Sequence, residues 1–150
     1  MIWTTANFGK HAGKTLPQIV FSDPNWFFWA AKILYGPLAT EAEALERRAR
    51  CIRIPKPNPK KWAVEYRRDR DDRFLGIDIV KVGSSVHSPL FERLPHLDLA
   101  YVRRGNVHDT GDCQRVIHDF RRLYFDGLNL TKRRCEAFFE DEDNFTKSGW

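Results

Sequence analysis

The sequence predicts an α+β fold, in which a small strand-turn-helix N-terminal module is followed by a short antiparallel sheet with two C-terminal helices. Helix start and stop signals fall in the first 50 residues, alternating apolar residues fall in the middle, and helical apolar spacing returns towards the C-terminus. The 150 residues are 42% hydrophobic and 30% charged, which is typical of a globular protein. We place a domain boundary between residues 1–50 and residues 51–150.

The first 35 residues predict the strand-turn-helix module. Residues 2–8 predict a strand, residues 9–13 a turn that contains two glycines, and residues 16–20 a short helical turn. A helix over residues 24–35 follows, because Asp23 is a good N-cap residue and the next residue is a proline, which suits the first helical position.

A second helix is predicted to begin at Thr40. The spacing of Thr40 and Glu43 is that of a capping box, and Glu46 and Arg50 are placed for an ion pair between successive turns. A short alternating strand comes next. The proline- and lysine-rich residues 55–61 then predict irregular structure, and this break is why we divide the chain after residue 50.

After this break, the chain predicts three strands and two helices. Residues 62–67 and 74–82 alternate as strands joined by a charged turn, and residues 97–102 predict a further strand. Apolar residues at helical spacing predict helices over residues 113–126 and residues 131–140, each with an N-cap residue before it.

The charge of the chain favours a polyanionic partner. The formal net charge is +5 and the isoelectric point is about 9.3, with the cations concentrated in the middle of the chain. Cations interleaved with Trp62 and Tyr66 would contact phosphates while the rings stack on bases. The opposing interpretation, in which the rings pack inward and the cations only solubilise the surface, stays open. The residues that we assign to nucleic-acid binding are Lys10, Lys14, Arg47, Arg48, Arg50, Lys60, Lys61, Trp62, Arg67 and Arg68.

Catalytic motifs are weak in this sequence. Residues 8–15, which read FGKHAGKT, are one residue too short between the glycines to form a nucleotide-phosphate loop. Glu65 and Asp78 on neighbouring strands would suit a metal-dependent nuclease, but solvated charges on the outer face of a half-buried sheet are the better explanation. Asp78 and Lys81 are three residues apart in a strand and therefore lie on opposite faces. We assign no catalytic residue, no metal ligand and no cofactor.

The cysteines and the apolar segments indicate the cellular compartment of the protein. Cys51, Cys113 and Cys135 are widely spaced, as expected for free thiols in a reducing compartment. No apolar run approaches the roughly 20 residues that cross a bilayer, and no signal-peptide pattern is present. The sequence predicts a soluble cytoplasmic protein that has no membrane partner, and it leaves the oligomeric state open.

Residues 8–32 contain a Phe-Gly-Lys triplet, a second Gly-Lys after a tight turn, and then Asp-Pro with two tryptophans. This pattern resembles the small C-terminal domain of exodeoxyribonuclease X-like proteins. It covers about the first third of the chain. The residues that match it in order are Phe8, Gly9, Lys10, Gly13, Lys14, Leu16, Ile19, Asp23, Pro24, Trp26 and Trp29.

The resemblance implies an accessory module that helps to hold nucleic acid, with Lys10 and Lys14 presented on the turn. It does not imply exonuclease activity, because in those enzymes the module follows a catalytic domain with metal-binding acidic residues. We expect Trp26 and Trp29, one turn apart, to pack in the core against the segment that carries Phe8.

Three functions remain compatible with the sequence. The leading one is a non-catalytic accessory protein that binds nucleic acid, with DNA favoured, through a basic surface. The second is a protein-interaction or regulatory factor, of the kind that mobile elements encode, which docks on an acidic partner. The third is a small metal-dependent nuclease with Glu65 and Asp78 as ligands.

Overall fold

The computed structural model describes residues 2–54, 61–84, 90–104 and 110–146, and it has the predicted α+β class. The helices are α1 (Leu16–Ser22), α2 (Pro24–Ala30), α3 (Pro37–Ala49), α4 (Thr110–Tyr124) and α5 (Lys132–Glu140). The strands are β1 (Ile52–Arg53), β2 (Trp62–Arg68), β3 (Phe74–Lys81), β4 (Leu90–Leu94) and β5 (His96–Leu97). Short 3₁₀ helices span Leu99–Arg104 and Glu142–Asn144. No helix in the described segments is long and apolar enough to cross a membrane.

The N-terminal segment forms a hairpin-like loop instead of the predicted strand over residues 2–8. An isolated antiparallel β-bridge pairs Thr5 with Thr15. Hydrogen bonds from the Ala6 N–H to the Lys14 carbonyl (2.9 Å) and from the Gly13 N–H to the Ala6 carbonyl (2.9 Å) close the loop. Gly13 has a φ of +91°, which a side chain would strain. Thr15 then caps α1 in a capping box with Gln18.

Helices α2 and α3 differ from the prediction at one end each. Asp23 caps α2 as expected, with its Oδ1 accepting from the Trp26 N–H at 3.2 Å, but the helix ends at Ala30 instead of residue 35. Helix α3 begins at Pro37, three residues before the predicted start at Thr40. The fixed φ of proline suits the first helical position, and this preference overrides the capping-box spacing.

The sheet has the strand order β3-β2-β4, and all its pairings are antiparallel. The hairpin of β2 and β3 was predicted, whereas β4 was missed. The predicted strand over residues 97–102 is wrong beyond Leu97: β5 pairs with β1, and a 3₁₀ helix follows. This helix is initiated by Asp98, whose carboxylate accepts a hydrogen bond from the Ala100 N–H at 2.8 Å.

One hydrophobic core joins the two sides of the predicted boundary at residue 50. Phe21 of α1 lies 4.8 Å from Phe120 of α4 and 5.1 Å from Phe139 of α5, measured between ring centroids. Ile52 bridges to Phe145, and both are fully buried. The boundary therefore does not divide the core into two parts.

The C-terminal helices agree with the prediction more closely. Helix α4 begins a few residues earlier than expected and buries Val116 and Phe120 as the apolar spacing requires. Helix α5 begins after Thr131, whose side chain accepts from the Arg134 N–H, and it ends at Glu140 as predicted.

Candidate nucleic-acid interface

The three predicted arginines of α3 have different environments. Arg47 is exposed in the last turn. Arg48 donates from Nη1 to the Phe139 carbonyl at 3.0 Å, and burial together with the nearby Arg47 charge lowers the pKa of its guanidinium. Arg50 pairs with Glu46 at 3.0 Å, as the spacing predicted, and lies over the Phe28 ring. Arg48 is therefore a structural contact between α3 and α5.

The predicted residues of β2 lie at opposite ends of the strand. Lys61 and Trp62 lie at its start, whereas Arg67 and Arg68 lie at its end, roughly 20 Å away at the usual rise per residue. Arg67 and Arg68 also point to opposite faces, because side chains alternate along a strand. Lys60 falls outside the described residues.

Both of these β2 arginines form ion pairs with carboxylates. Arg67 pairs with Asp78 across the strands at 2.7 Å, and Arg68 pairs with Asp72 at 2.8 Å. Lys81 lies 6.0 Å from the ring centroid of the half-buried Trp62. A phosphate would have to displace these carboxylates, so the β2 arginines are poorly placed to bind it.

Tyr66, the second predicted stacking ring, is buried. Its hydroxyl donates to the His96 carbonyl at 3.2 Å and accepts from the Asp98 N–H at 2.6 Å. Burial, as the largest cause, raises the pKa of this hydroxyl well above its ordinary value. The inward-packing interpretation is therefore correct for this ring, which ties β2 to the segment after β5.

Glu65 and Asp78, the ligands of the nuclease hypothesis, face each other across β2 and β3. Each is held by an arginine: Glu65 by Arg93 at 3.0 Å and Asp78 by Arg67. Glu65 is 8% exposed and Arg93 is 18% exposed, so this pair is largely shielded from water. Within the described part of the chain, no cluster of three histidine, cysteine or acidic residues is placed to hold a metal ion. The geometry gives the nuclease hypothesis no support.

Asp23 fastens the N-terminal loop to α2. Its Oδ2 lies 2.8 Å from the Lys10 ammonium and 3.0 Å from His11 Nε2, while its Oδ1 caps the helix. Burial alone would raise the pKa of Asp23, but hydrogen bonds from Lys10, His11 and the Trp26 N–H outweigh it and hold the pKa below its ordinary value. The buried His11 ring also meets the Trp26 ring edge to face at 5.0 Å. Asp23 thus joins the loop that carries Lys10 to the start of α2, and this contact accounts for the spacing between the Gly-Lys turn and Asp-Pro.

Four aromatic rings lie at the surface of this N-terminal region, and we call them the aromatic strip: Tyr35, Phe8, Trp26 and Trp29. Phe8 and Trp26 are 5.9 Å apart and Trp26 and Trp29 are 6.2 Å apart, measured between ring centroids. Trp29 is 50% exposed and Tyr35 is 85% exposed. Phe8 and Trp26 are half-buried.

The expectation that Trp29 packs in the core is therefore wrong, and α2 shows why. The helix has only seven residues, and its buried side is filled by Phe27, Phe28 and Ala30. Trp26 and Trp29, one turn apart, are left on the other side, where Trp26 contacts Phe8 as expected. Four consecutive aromatic residues in so short a helix cannot all face the core, and this signal was present in the sequence.

Exposed lysines lie in the same region as the aromatic strip. Lys10 is 64% exposed and paired with Asp23. Lys14 belongs to the same loop, and Lys32 follows Trp29 by one turn; both are exposed and form no ion pair with any described residue. Lys32 and Tyr35 were not assigned to a site from the sequence. Exposed rings and exposed cations in one region are what a flexible polyanion with flat bases can use.

Comparison with protein-family models, curated proteins and solved structures finds no match for this chain. The likeness of residues 8–32 to the exodeoxyribonuclease X-like C-terminal domain therefore stays a prediction.

Proposed function

We propose that this chain is a non-catalytic nucleic-acid-binding accessory protein, with DNA as the favoured target. The observation that carries the proposal is the exposed aromatic strip in the same N-terminal region as Lys14 and Lys32, whose charges no described carboxylate neutralises. The net charge of +5 adds a long-range attraction for polyanions.

The binding free energy would come from two sources. Each lysine that contacts a phosphate releases condensed counterions, which favours binding and makes it depend on salt. Each exposed ring that stacks on a base adds about 1–3 kcal/mol in single-stranded complexes. Exposed cations elsewhere, such as Arg47 and Lys61, would strengthen the field without fixing the position of the strand.

The resemblance of the first third of the chain agrees with this proposal, because it implies that Lys10 and Lys14 are presented on the turn. Lys10 fastens the loop through its pair with Asp23, yet most of its side chain is exposed. Its ammonium can therefore also contact a phosphate. We expect Lys14 to contribute more, because none of the described carboxylates pairs with it.

Salt dependence of binding tests the proposal. The logarithm of the association constant for a labelled 20-mer, plotted against the logarithm of salt concentration, should fall with a slope near −0.7 per phosphate contact for single strands. Lys14→Ala should make the slope shallower by about 0.7. Arg67→Ala removes the same charge from the Asp78 pair and should leave the slope unchanged. Undetectable binding at low salt would remove the proposal.

A second candidate is docking on an acidic protein partner. Ile33, one turn beyond Trp29, is 53% exposed, and an exposed aliphatic side chain beside rings is more typical of a protein interface than of a base-stacking surface. The substitution Ile33→Glu separates the two. A fall in oligonucleotide affinity in this variant, caused by the added negative charge, would favour nucleic acid, whereas a wild-type chain that binds no oligonucleotide at low salt would favour the protein partner.

A further inference from the structure

A cleft of about 180 Å³ opens at one end of the aromatic strip. One side comes from four residues of the N-terminal loop, at positions 4, 5, 7 and 8, and the other from residues 34–38, which span the end of the α2–α3 connection and the start of α3. Phe8 lines the first side and Tyr35 the second. The cleft is smaller than the roughly 300–1,000 Å³ of pockets for drug-sized ligands, so it suits a single planar ring.

The polar groups of the cleft are free to bind a ligand. The Asn7 amide and the Thr5 hydroxyl are exposed and make no hydrogen bond within the described residues. An amide offers both donors and an acceptor, and a hydroxyl offers one of each, so together they match the mixed edge of a nucleobase.

Beyond the cleft, the strip continues from Phe8 to Trp26 and Trp29 over two contacts of about 6 Å between ring centroids. A ligand with several flat rings in sequence fits this arrangement better than an isolated small molecule. Lys14 and Lys32 lie in the same region, so the ligand should also carry negative charge. Both properties belong to a single-stranded nucleic acid, whereas the bases of a duplex are paired and stacked and cannot enter.

We infer that the cleft between Phe8 and Tyr35 seats one unpaired base of a single-stranded nucleic acid, while neighbouring bases stack along Trp26 and Trp29. The inference rests on the proposed function and makes it specific, since it selects single strands over duplexes and assigns base contacts to named rings.

The test compares three fluorescent oligonucleotides at one salt concentration: a single-stranded 15-mer of thymidylate, a duplex of the same length, and a single strand in which abasic sites replace the bases. The full chain should bind the thymidylate strand more tightly than either of the others. Tyr35→Ala should weaken thymidylate binding about 5- to 100-fold and leave duplex binding unchanged.

Two further variants make the result specific. Tyr35→Phe keeps the ring and should keep the affinity. Phe91→Ala removes an exposed ring from β4 that does not line the cleft, and it should also keep the affinity. Because Tyr35 is almost fully exposed, its removal should not unfold the chain.

Equal binding of the three oligonucleotides, or a Tyr35→Ala variant that loses none of its affinity for single strands, would overturn the inference and leave the proposed function standing. Absent binding of all three would overturn both, and would point to a protein ligand for the cleft.

Discussion

Two regions of the molecule carry cations and aromatic rings, and they differ in how far these groups are exposed and free of carboxylates. One region is the N-terminal loop with α2, and the other is the sheet of β2, β3 and β4. In the sheet, Arg67, Arg68 and Arg93 each contact a carboxylate, and Tyr66 is buried. In the N-terminal region, Trp29 is half exposed, and Lys14 is free of carboxylates within the described chain. Charge density along a sequence therefore does not measure how many charges can bind a partner.

The largest expected effect separates the two sides of α2. Phe28→Ala should lower the free energy of unfolding by about 3–5 kcal/mol, because the ring is fully buried and its loss leaves a cavity. Trp29→Ala at the next position should cost only about 1 kcal/mol. Urea denaturation followed by circular dichroism measures both. Equal losses would show that Trp29 is a core residue after all.

The next effect concerns the charged face of the sheet. Glu65→Ala should lower the free energy of unfolding by about 2–4 kcal/mol, because it leaves Arg93 largely buried without its carboxylate. Asp78→Ala, on the adjacent strand, is the matched control and should cost less than about 1 kcal/mol, since its pair with Arg67 is exposed. Neither change should alter oligonucleotide binding beyond the small gain from the added net charge. Markedly tighter binding in both, by arginines released to contact phosphate, would restore the sheet as an interface.

A smaller effect compares two tryptophans. Trp29→Ala should weaken binding of a single strand by about 1–3 kcal/mol, because it removes one stacking ring. Trp62→Ala on β2 should leave the affinity unchanged, which fluorescence anisotropy with a labelled strand can measure. The reverse pattern would return the interface to the middle of the chain.

The smallest effect is expected at Lys10. Lys10→Ala should change the free energy of unfolding by less than about 1 kcal/mol, because its pair with Asp23 is solvent-exposed on the lysine side and His11 remains in contact. Asp23→Ala should cost more, since it also removes the cap of α2. Thermal melts of the two variants rank them, and an inverted order would contradict the role given to Asp23.

The sequence predicted elements whose signals are local. The hairpin of β2 and β3, the Asp23 and Thr131 caps and the pair of Glu46 with Arg50 all depend on residues close together in the chain. Strand β4 was missed because adjacent charged residues interrupt its short apolar pattern and leave little alternation to detect. The early start of α3 at Pro37 was missed because the capping-box spacing of Thr40, three residues later, predicts a later start.

The candidate site was harder to predict because charge neutralisation is a tertiary property. Asp78 pairs with Arg67 only because the strand register brings them together, and Arg48 reaches the Phe139 carbonyl from 91 positions away. Exposure of Trp29 likewise depends on which side of α2 meets the core, and Tyr35 lies beyond the helix because α2 ends at Ala30. Sequence patterns could name cations and rings, but only the packed chain separates available groups from occupied ones.

Amide chemical-shift mapping by NMR, with a short single-stranded oligonucleotide titrated into the labelled chain, would locate the binding surface residue by residue. If the aromatic strip and the cleft bind the strand, the shifts should concentrate at residues 4–14 and 26–36. Shifts concentrated along β2 and β3, with residues 4–14 unaffected, would contradict this placement of the interface.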